Sequence, residues 1–474
     1  MRVLLVTHRY PPAHTAGVEV FSARTAAMVA GAGHEVTVLT AEKDISSRDL
    51  SLRERTHEGA RVIELVNNLF AGSFEETWRR DAIDRVLAGV LDDVRPDVVH
   101  VHHLLYLSAG LLDLCEGRGI PVVMTAHDFW LGCARFGQLL HPDGARCGGV
   151  EPARCGTCLP SFKWRQSDLQ RRVARGISAL RSVSGVDLSG PARRLGGGGS
   201  GAAGEAWAPP GEPEAARFEE AARRRVSDLV GTVNRSVERL LLPAAFMAPW
   251  FEGLGVDPEL LHVETTGVDW EGARRTPRVE RAPGEPLRVR FLGSLVPHKA
   301  PHLLLEAWTG LPDEERARGV LELHGPDQHR PEYVARLRRD AERVGATVGA
   351  ALTRDEVREA MARTDLLVVP SQWNEVRPLV MLEAFAAGAR VVATDLGGMA
   401  ELVADGVPGR LFPEGDVEGL RACLAAELRE AAAPAGEGPI EAAPSALFRP
   451  WREVGDALLE HYDRAVRGDR TPIG

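Results

Sequence analysis

The sequence predicts an α/β protein made of two doubly wound domains, and three observations carry that expectation. Short apolar runs alternate with longer amphipathic ones, the rhythm of a parallel sheet covered by helices on both faces. That rhythm breaks at the Arg-, Pro- and Gly-rich stretch "RRTPRVERAPGEP" (274–286) and then starts again. At 474 residues the chain is too long for one ordinary core and natural for two.

In the first half, "RVLLVT" (2–7) reads as a strand, followed by a helix near 17–32 and strands at 35–40 and 61–66. A helix near 76–93 and the strands "DVVHVH" (97–102) and "PVVMTAH" (121–127) complete that half. In the second, "LRVRFLG" (287–293) is a strand, followed by a helix from about 301, "VLELHG" (320–325) and a helix near 331–344. "DLLVVP" (365–370), a helix opening at Pro378 and "RVVATD" (390–395) follow. The expected domains are 1–268 and 287–449, joined by a linker at 269–286, with 450–474 as a closing amphipathic helix. One segment departs from the rhythm: about 186–216 has the Gly, Ser and Pro content of a flexible insertion, read as a plain surface loop or as a mobile lid.

With 44% hydrophobic and 26% charged residues the chain reads as soluble and globular. Its formal charge of −10 argues against a general nucleic-acid binder, which carries a basic surplus. No apolar run approaches the roughly 18 residues of a membrane span, and the first strand has no signal-peptide character, so a cytoplasmic location is expected.

Several residues stand where α/β folds place their chemistry. Gly17, in "AGVE", opens a helix whose N–H groups and partial positive charge suit a phosphate; a plain strand-to-helix turn is the other reading. Neither G-x-G-x-x-G after the strand nor G-x-x-x-x-G-K-[ST] occurs, so a dinucleotide oxidoreductase and a P-loop enzyme lack support. His127 follows a central strand, and Lys299 lies near the start of a helix, placed to meet a diphosphate as a point charge. Glu375 and Glu383 stand eight positions apart with Pro378 between them. Because proline disfavours helix in the residue before it, they are not expected to share one helix. Glu375 is placed in a loop and Glu383 in the early turns of the helix that follows, both at the carboxyl edge of a sheet.

The stretches "THRYPPAHTAGVEVF", "TAHDFW", "FLGSLVPHK" and the block 369–416, with the closing helix, resemble a family 4 retaining glycosyltransferase of the GT-B fold. The likeness covers nearly the whole chain apart from the insertion. It implies two Rossmann-like domains facing across a cleft, with the closing helix crossing back. It implies that Glu375 and Glu383 are the ends of an E-x7-E motif, the first on the donor sugar hydroxyls and the second on the nucleotide ribose. Gly17 then matches the glycine near the phosphates, His127 the histidine at the sugar, and Lys299 the diphosphate lysine. Many such proteins have Gly-Arg where this chain has Gly293 and Ser294, and Phe-Gly where it has Arg377 and Pro378. Arg377 is therefore expected to supply the missing positive charge from the other loop, with the N–H groups of Leu379 and Val380 cradling the diphosphate.

Cys133, Cys147, Cys155 and Cys158 form C-x13-C-x7-C-x2-C. Four thiolates would complete a structural zinc site, and unmetallated buried thiols fit equally. The basic amphipathic stretch at 162–182 suits either a helix packed on the first domain or a peripheral contact with the inner membrane face.

The resulting expectation is a retaining glycosyltransferase that needs no catalytic cofactor. It moves a sugar from a nucleoside diphosphate sugar to a hydroxyl acceptor, which is a glycan, lipid or natural product. His127, Glu375 and Lys299 are the expected catalytic residues, and Gly17, Ser294, Lys299, Arg377, Leu379, Val380 and Glu383 the donor-binding ones. A sugar-nucleotide epimerase of similar shape and a non-catalytic sugar-nucleotide binder are the alternatives.

Overall fold

The computed structural model describes residues 1–14, 16–184, 207–267, 277–327, 330–430 and 449–471. The chain divides into two compact units: 1–243 with 248–264 and 455–474, and 244–247 with 265–454.

The first unit is built on strands β1 (Arg2–Thr7), β2 (Glu35–Glu42), β3 (Leu52–His57), β4 (Ala60–Val66), β5 (Val98–Val101), β6 (Val122–Thr125), β7 (Arg239–Leu242) and β8 (Leu261–Val263). Their order is β3-β4-β2-β1-β5-β6-β7-β8, parallel throughout except for β3 against β4. Apart from the β3–β4 hairpin, chain order runs outward in both directions from the β1/β5 pair, so the loops after those strands diverge and leave a crevice at their carboxyl ends. All four residues of β5 are buried, as a central strand covered on both faces requires. The β3–β4 hairpin, absent from the sequence expectation, turns on Glu58 (φ 47°) and Gly59 (φ 84°), the left-handed pair a two-residue hairpin loop demands. The sequence hides β3 because its side chains alternate exposed and half-exposed, with no apolar face, on an edge where charge guards against stray pairing.

The segment expected as an insertion needs correction at its end. Residues 185–206 lie outside the described residues, but 212–216 already belong to a helix, Glu212–Ser236, with Pro213 and two glutamates in its first turn. This helix buries Arg225, which donates to the carbonyls of Trp130 (2.7 Å) and Leu131 (3.2 Å). Helix Pro152–Cys158 packs on it so closely that a Cβ at Gly156 would lie 2.4 Å from the Ala215 carbonyl oxygen. The basic stretch forms the helix Asp168–Ser184, whose apolar stripe is divided: Ile177 is buried while Leu169 and Val173 are exposed. The closing helix, Trp451–Val466, belongs to this unit from Gly455 onward. Its fully buried Tyr462 bonds His100 Nδ1 at 2.6 Å, and His461 accepts from Arg239 Nε at 2.8 Å.

The second unit carries β9 (Leu287–Leu292), β10 (Gly319–His324), β11 (Thr347–Gly349), β12 (Leu366–Val369), β13 (Arg390–Thr394) and β14 (Gly409–Phe412). The sheet is wholly parallel, ordered β11-β10-β9-β12-β13-β14. The period-2 alternation of side chains splits its core in two: Leu366 and Val368 enter one apolar layer with Trp308, while Leu367 and Val369 enter the other with Phe385. The strand order reverses between β9 and β12, which opens a crevice between the loops that follow them.

Candidate functional site

In the second unit, Lys299 and Glu375 lie on those two diverging loops. After β9 the chain passes close to β10: Gly293 N–H donates to the His324 carbonyl at 3.0 Å, and a Cβ at Gly325 would lie 1.8 Å from Gly293 O. Pro297–Lys299 then form a 3-10 turn, and Ala300, in the left-handed region at φ 51°, starts the helix Pro301–Thr309. The loop after β12 is tied to this turn by Gln372 N–H donating to the His298 carbonyl at 2.7 Å.

Three donors converge on one oxygen of Glu375: Ser371 Oγ at 2.8 Å, Trp373 Nε1 at 2.7 Å and the Lys299 ammonium. None of these bonds engages Oε2, which stays available to accept from a ligand hydroxyl. Burial raises the Glu375 carboxyl, but the Lys299 charge and the three hydrogen bonds outweigh it and hold the group below the usual carboxylate value. Lys299 Nζ also lies 5.2 Å from the Trp373 ring centroid, so one cation is positioned by a carboxylate and an aromatic face together. The loop is braced from below, where Gly398 N–H donates to the Glu375 carbonyl at 2.8 Å. A Cβ at Gly398 would lie 1.9 Å from Val376 O, so that approach needs glycine.

Pro378 caps the helix Leu379–Ala386 and stands one residue outside the expected start. Met381 N–H bonds back to the Pro378 carbonyl at 3.0 Å, leaving Leu379 and Val380 as the first-turn donors of an eight-residue helix. Glu383 sits half-buried in the second turn, and Ser294 is half-buried in the loop after β9. Burial lowers the Arg377 guanidinium, and the carboxylates acting on it are Glu401 and Asp405, which belong to the helix Gly397–Ala404 and its cap. The structure thus joins Lys299 to Glu375 directly, and the charges that act on Arg377 include Glu401, Asp405 and Arg449.

In the first unit, His127 follows β6 and belongs to a histidine cluster that sequence reading did not assemble. Its Nε2 lies 3.2 Å from His102 Nδ1, and its ring meets Phe21 edge-on at 5.1 Å. His103 Nε2 bonds Asp128 Oδ2 at 3.1 Å, and the His8 ring lies 4.7 Å from that of His103. Burial, helped by the neighbouring imidazoles, pushes His127 and His100 down to about 3, so both are neutral at ordinary pH. The signal was present in "VHVHH" (99–103), where His100 and His102 share one side of a strand end. Gly17 is the exposed first residue of the helix Gly17–Gly31, and nothing lies within 4 Å of where its Cβ would be.

The four clustered cysteines line one cavity with Arg135, His141 and Arg225. All are free thiols, and burial pushes Cys147 and Cys155 up to about 11 and 12. Among the described residues no group of three or more His, Cys, Asp or Glu could hold a metal ion. The 13-residue first spacing contains Gly137 at φ 66° and a bridge between Leu140 and Arg146.

Comparison with known proteins identifies the architecture. Sucrose-phosphate synthase of Thermosynechococcus elongatus superposes with a TM-score of 0.57 at 15% identity, over 98% of this chain and 99% of the other. HepE of Anabaena, solved with UDP, gives 0.56 at 16% identity over 98% and 100%. Both show the GT-B fold. The family model "Glycosyl transferases group 1" matches residues 273–431, and "Glycosyltransferase Family 4" matches 15–179. Each half of the chain thus matches a glycosyltransferase family model. D-inositol 3-phosphate glycosyltransferase of Mycobacterium ulcerans is 34% identical over 229 residues, 45% of this chain and 47% of the relative. That of Nocardia farcinica is 32% identical over 238 residues, 46% and 51%. The chain thus spans about half the length of the curated relatives it matches. Among the described residues no helix is long and apolar enough to cross a membrane.

Proposed function

We propose that the protein is a retaining glycosyltransferase that takes a nucleoside diphosphate sugar on its second unit and a hydroxyl acceptor on its first. The observation that carries this reading is the Lys299–Glu375 pair, fixed by Ser371 and Trp373 on the two loops that diverge at the sheet's reversal. Lys299 offers its charge to the departing diphosphate, and the N–H groups of Leu379 and Val380 solvate the same oxygens. Glu375 Oε2 accepts from a donor sugar hydroxyl, and Glu383 from the ribose. The neutral His127 orients the sugar through a hydrogen bond instead of a charge. With Glu375 fully engaged as a binding group, retention proceeds by front-face attack, in which the leaving diphosphate takes the acceptor proton.

The name of the curated relatives and the UDP held by HepE make UDP sugars the first donors to try and a phosphorylated cyclitol the first acceptor. The test is a thermal-shift panel of UDP, GDP and dTDP sugars, since a ligand raises stability in step with its affinity. One donor class is expected to raise Tm, and product is expected only when acceptor is added. Conversion of the donor alone, followed by NMR, would instead indicate an epimerase, and binding without any turnover a non-catalytic binder.

A further inference from the structure

We propose that a second pocket of the first unit is a stacking site for a ring-shaped, hydroxyl-bearing acceptor, a sugar or cyclitol. The assignment rests on the glycosyl-transfer reading for its purpose but on separate geometry for its evidence. The pocket is an open cleft whose lining includes Leu69, Tyr106, Trp130, Phe136, Phe162 and Trp164. It lies beside the histidine cluster: the Trp130 ring is 5.4 Å from His103, and the Tyr106 ring is 6.4 Å from His8.

Its walls are aromatic and its backbone is strained. Leu69 (φ 58°), Tyr106 (φ 66°) and Phe136 (φ 54°) all line it, and all are non-glycine residues in the left-handed region. Such conformations cost energy and persist only where surroundings enforce them, which is why they gather at ligand sites. Here the enforcing group is visible: buried Asn67 accepts from Leu69 N–H at 2.9 Å and donates to the Tyr106 carbonyl at 2.7 Å. One side chain thus locks two strained residues and sets the Tyr106 ring at the pocket wall. Phe136 meets Phe162 edge-on at 4.9 Å, and Trp164 meets Phe74 edge-on at 5.7 Å, so these rings too are held in place.

The polar lining decides between ligand classes. Glu76, Thr77 and Arg80 share the wall with the rings. A lipid tail would desolvate these groups without giving them partners, whereas a polyol ring lays its C–H face on an aromatic ring and turns its hydroxyls to them.

Saturation-transfer NMR on the full chain tests this, with methyl α-D-glucopyranoside, methyl α-D-mannopyranoside and myo-inositol as ring probes and 1-octanol as the alkyl probe. At least one ring probe is expected to receive saturation on its C–H protons, falling at least fivefold in Trp164→Ala and Tyr106→Gly. The second variant removes the ring while relieving its left-handed strain, so it keeps the fold. Three results would overturn the assignment: no ring probe binds, transfer survives both substitutions, or the methylenes of octanol take the saturation in preference to the rings. UDP binding measured on the same samples is expected to be unchanged. Absence of UDP binding in the unmodified protein would count against the glycosyl-transfer reading and leave the ring result standing.

Discussion

Lys299 and Glu375 are the two residues on which the donor reading turns, and each depends on the other. Lys299→Ala removes a charge-assisted contact worth about 1.5–3 kcal/mol, so UDP affinity is expected to fall by roughly tenfold to a hundredfold in a calorimetric titration. It also strands Glu375, whose side chain is 9% exposed, and Tm is expected to fall as well. Glu375→Gln keeps the shape and removes the charge, so it should spare UDP affinity and lower turnover of the complete sugar nucleotide. Since the Glu375 pKa is depressed in the fold, its stabilising contribution is full above the ordinary value of 4.5 and is lost as pH falls through the lowered one. For Arg377, with Glu401 and Asp405 acting on it, Arg377→Ala is expected to leave the UDP Kd within about twofold; a large rise would assign it to the diphosphate.

At the scale of elements, the donor loop depends on how closely a helix can approach it. Gly398→Ala puts a Cβ 1.9 Å from Val376 O, which the chain relieves by moving the loop that carries Glu375. Loss of UDP binding with retained circular dichroism is the expected result, and unchanged affinity would show that the brace is dispensable. In the first unit, histidines gather at the ends of β1, β5 and β6, and burial keeps His8, His100, His102 and His127 neutral. His127 and His100 titrate near 3 in the fold against an ordinary 6.5, so between those values the unfolded chain binds more protons. Their contribution is therefore full above about 6.5 and lost as pH falls toward 3. Tm is expected to decline from pH 7 to pH 5, and His100→Gln should flatten that slope by about one proton.

At the scale of the whole chain, the two units have separate sheets, and the proposed donor residues other than Gly17 and His127 belong to the second. Scanning calorimetry is expected to resolve two transitions, of which UDP raises one directly. A single transition raised as a whole by UDP would show that the units unfold as one.

The sequence by itself determined the two parallel sheets and the placement of Lys299, Glu375 and His127 at strand ends. Those features follow from local periodicity and from proline and glycine, whose effects reach only a few residues along the chain. Short or charged edge strands such as β3 and β11 were illegible because their stability comes from pairing partners far away in sequence. Only the tertiary structure decided which oxygen of Glu375 is occupied, which carboxylates act on Arg377, and that four cysteines surround a cavity. It likewise decided that Asn67 holds Leu69 and Tyr106 in left-handed backbone. Each of these is a contact across dozens of residues or a directional choice within a few ångströms, and neither leaves a period in the sequence to be read.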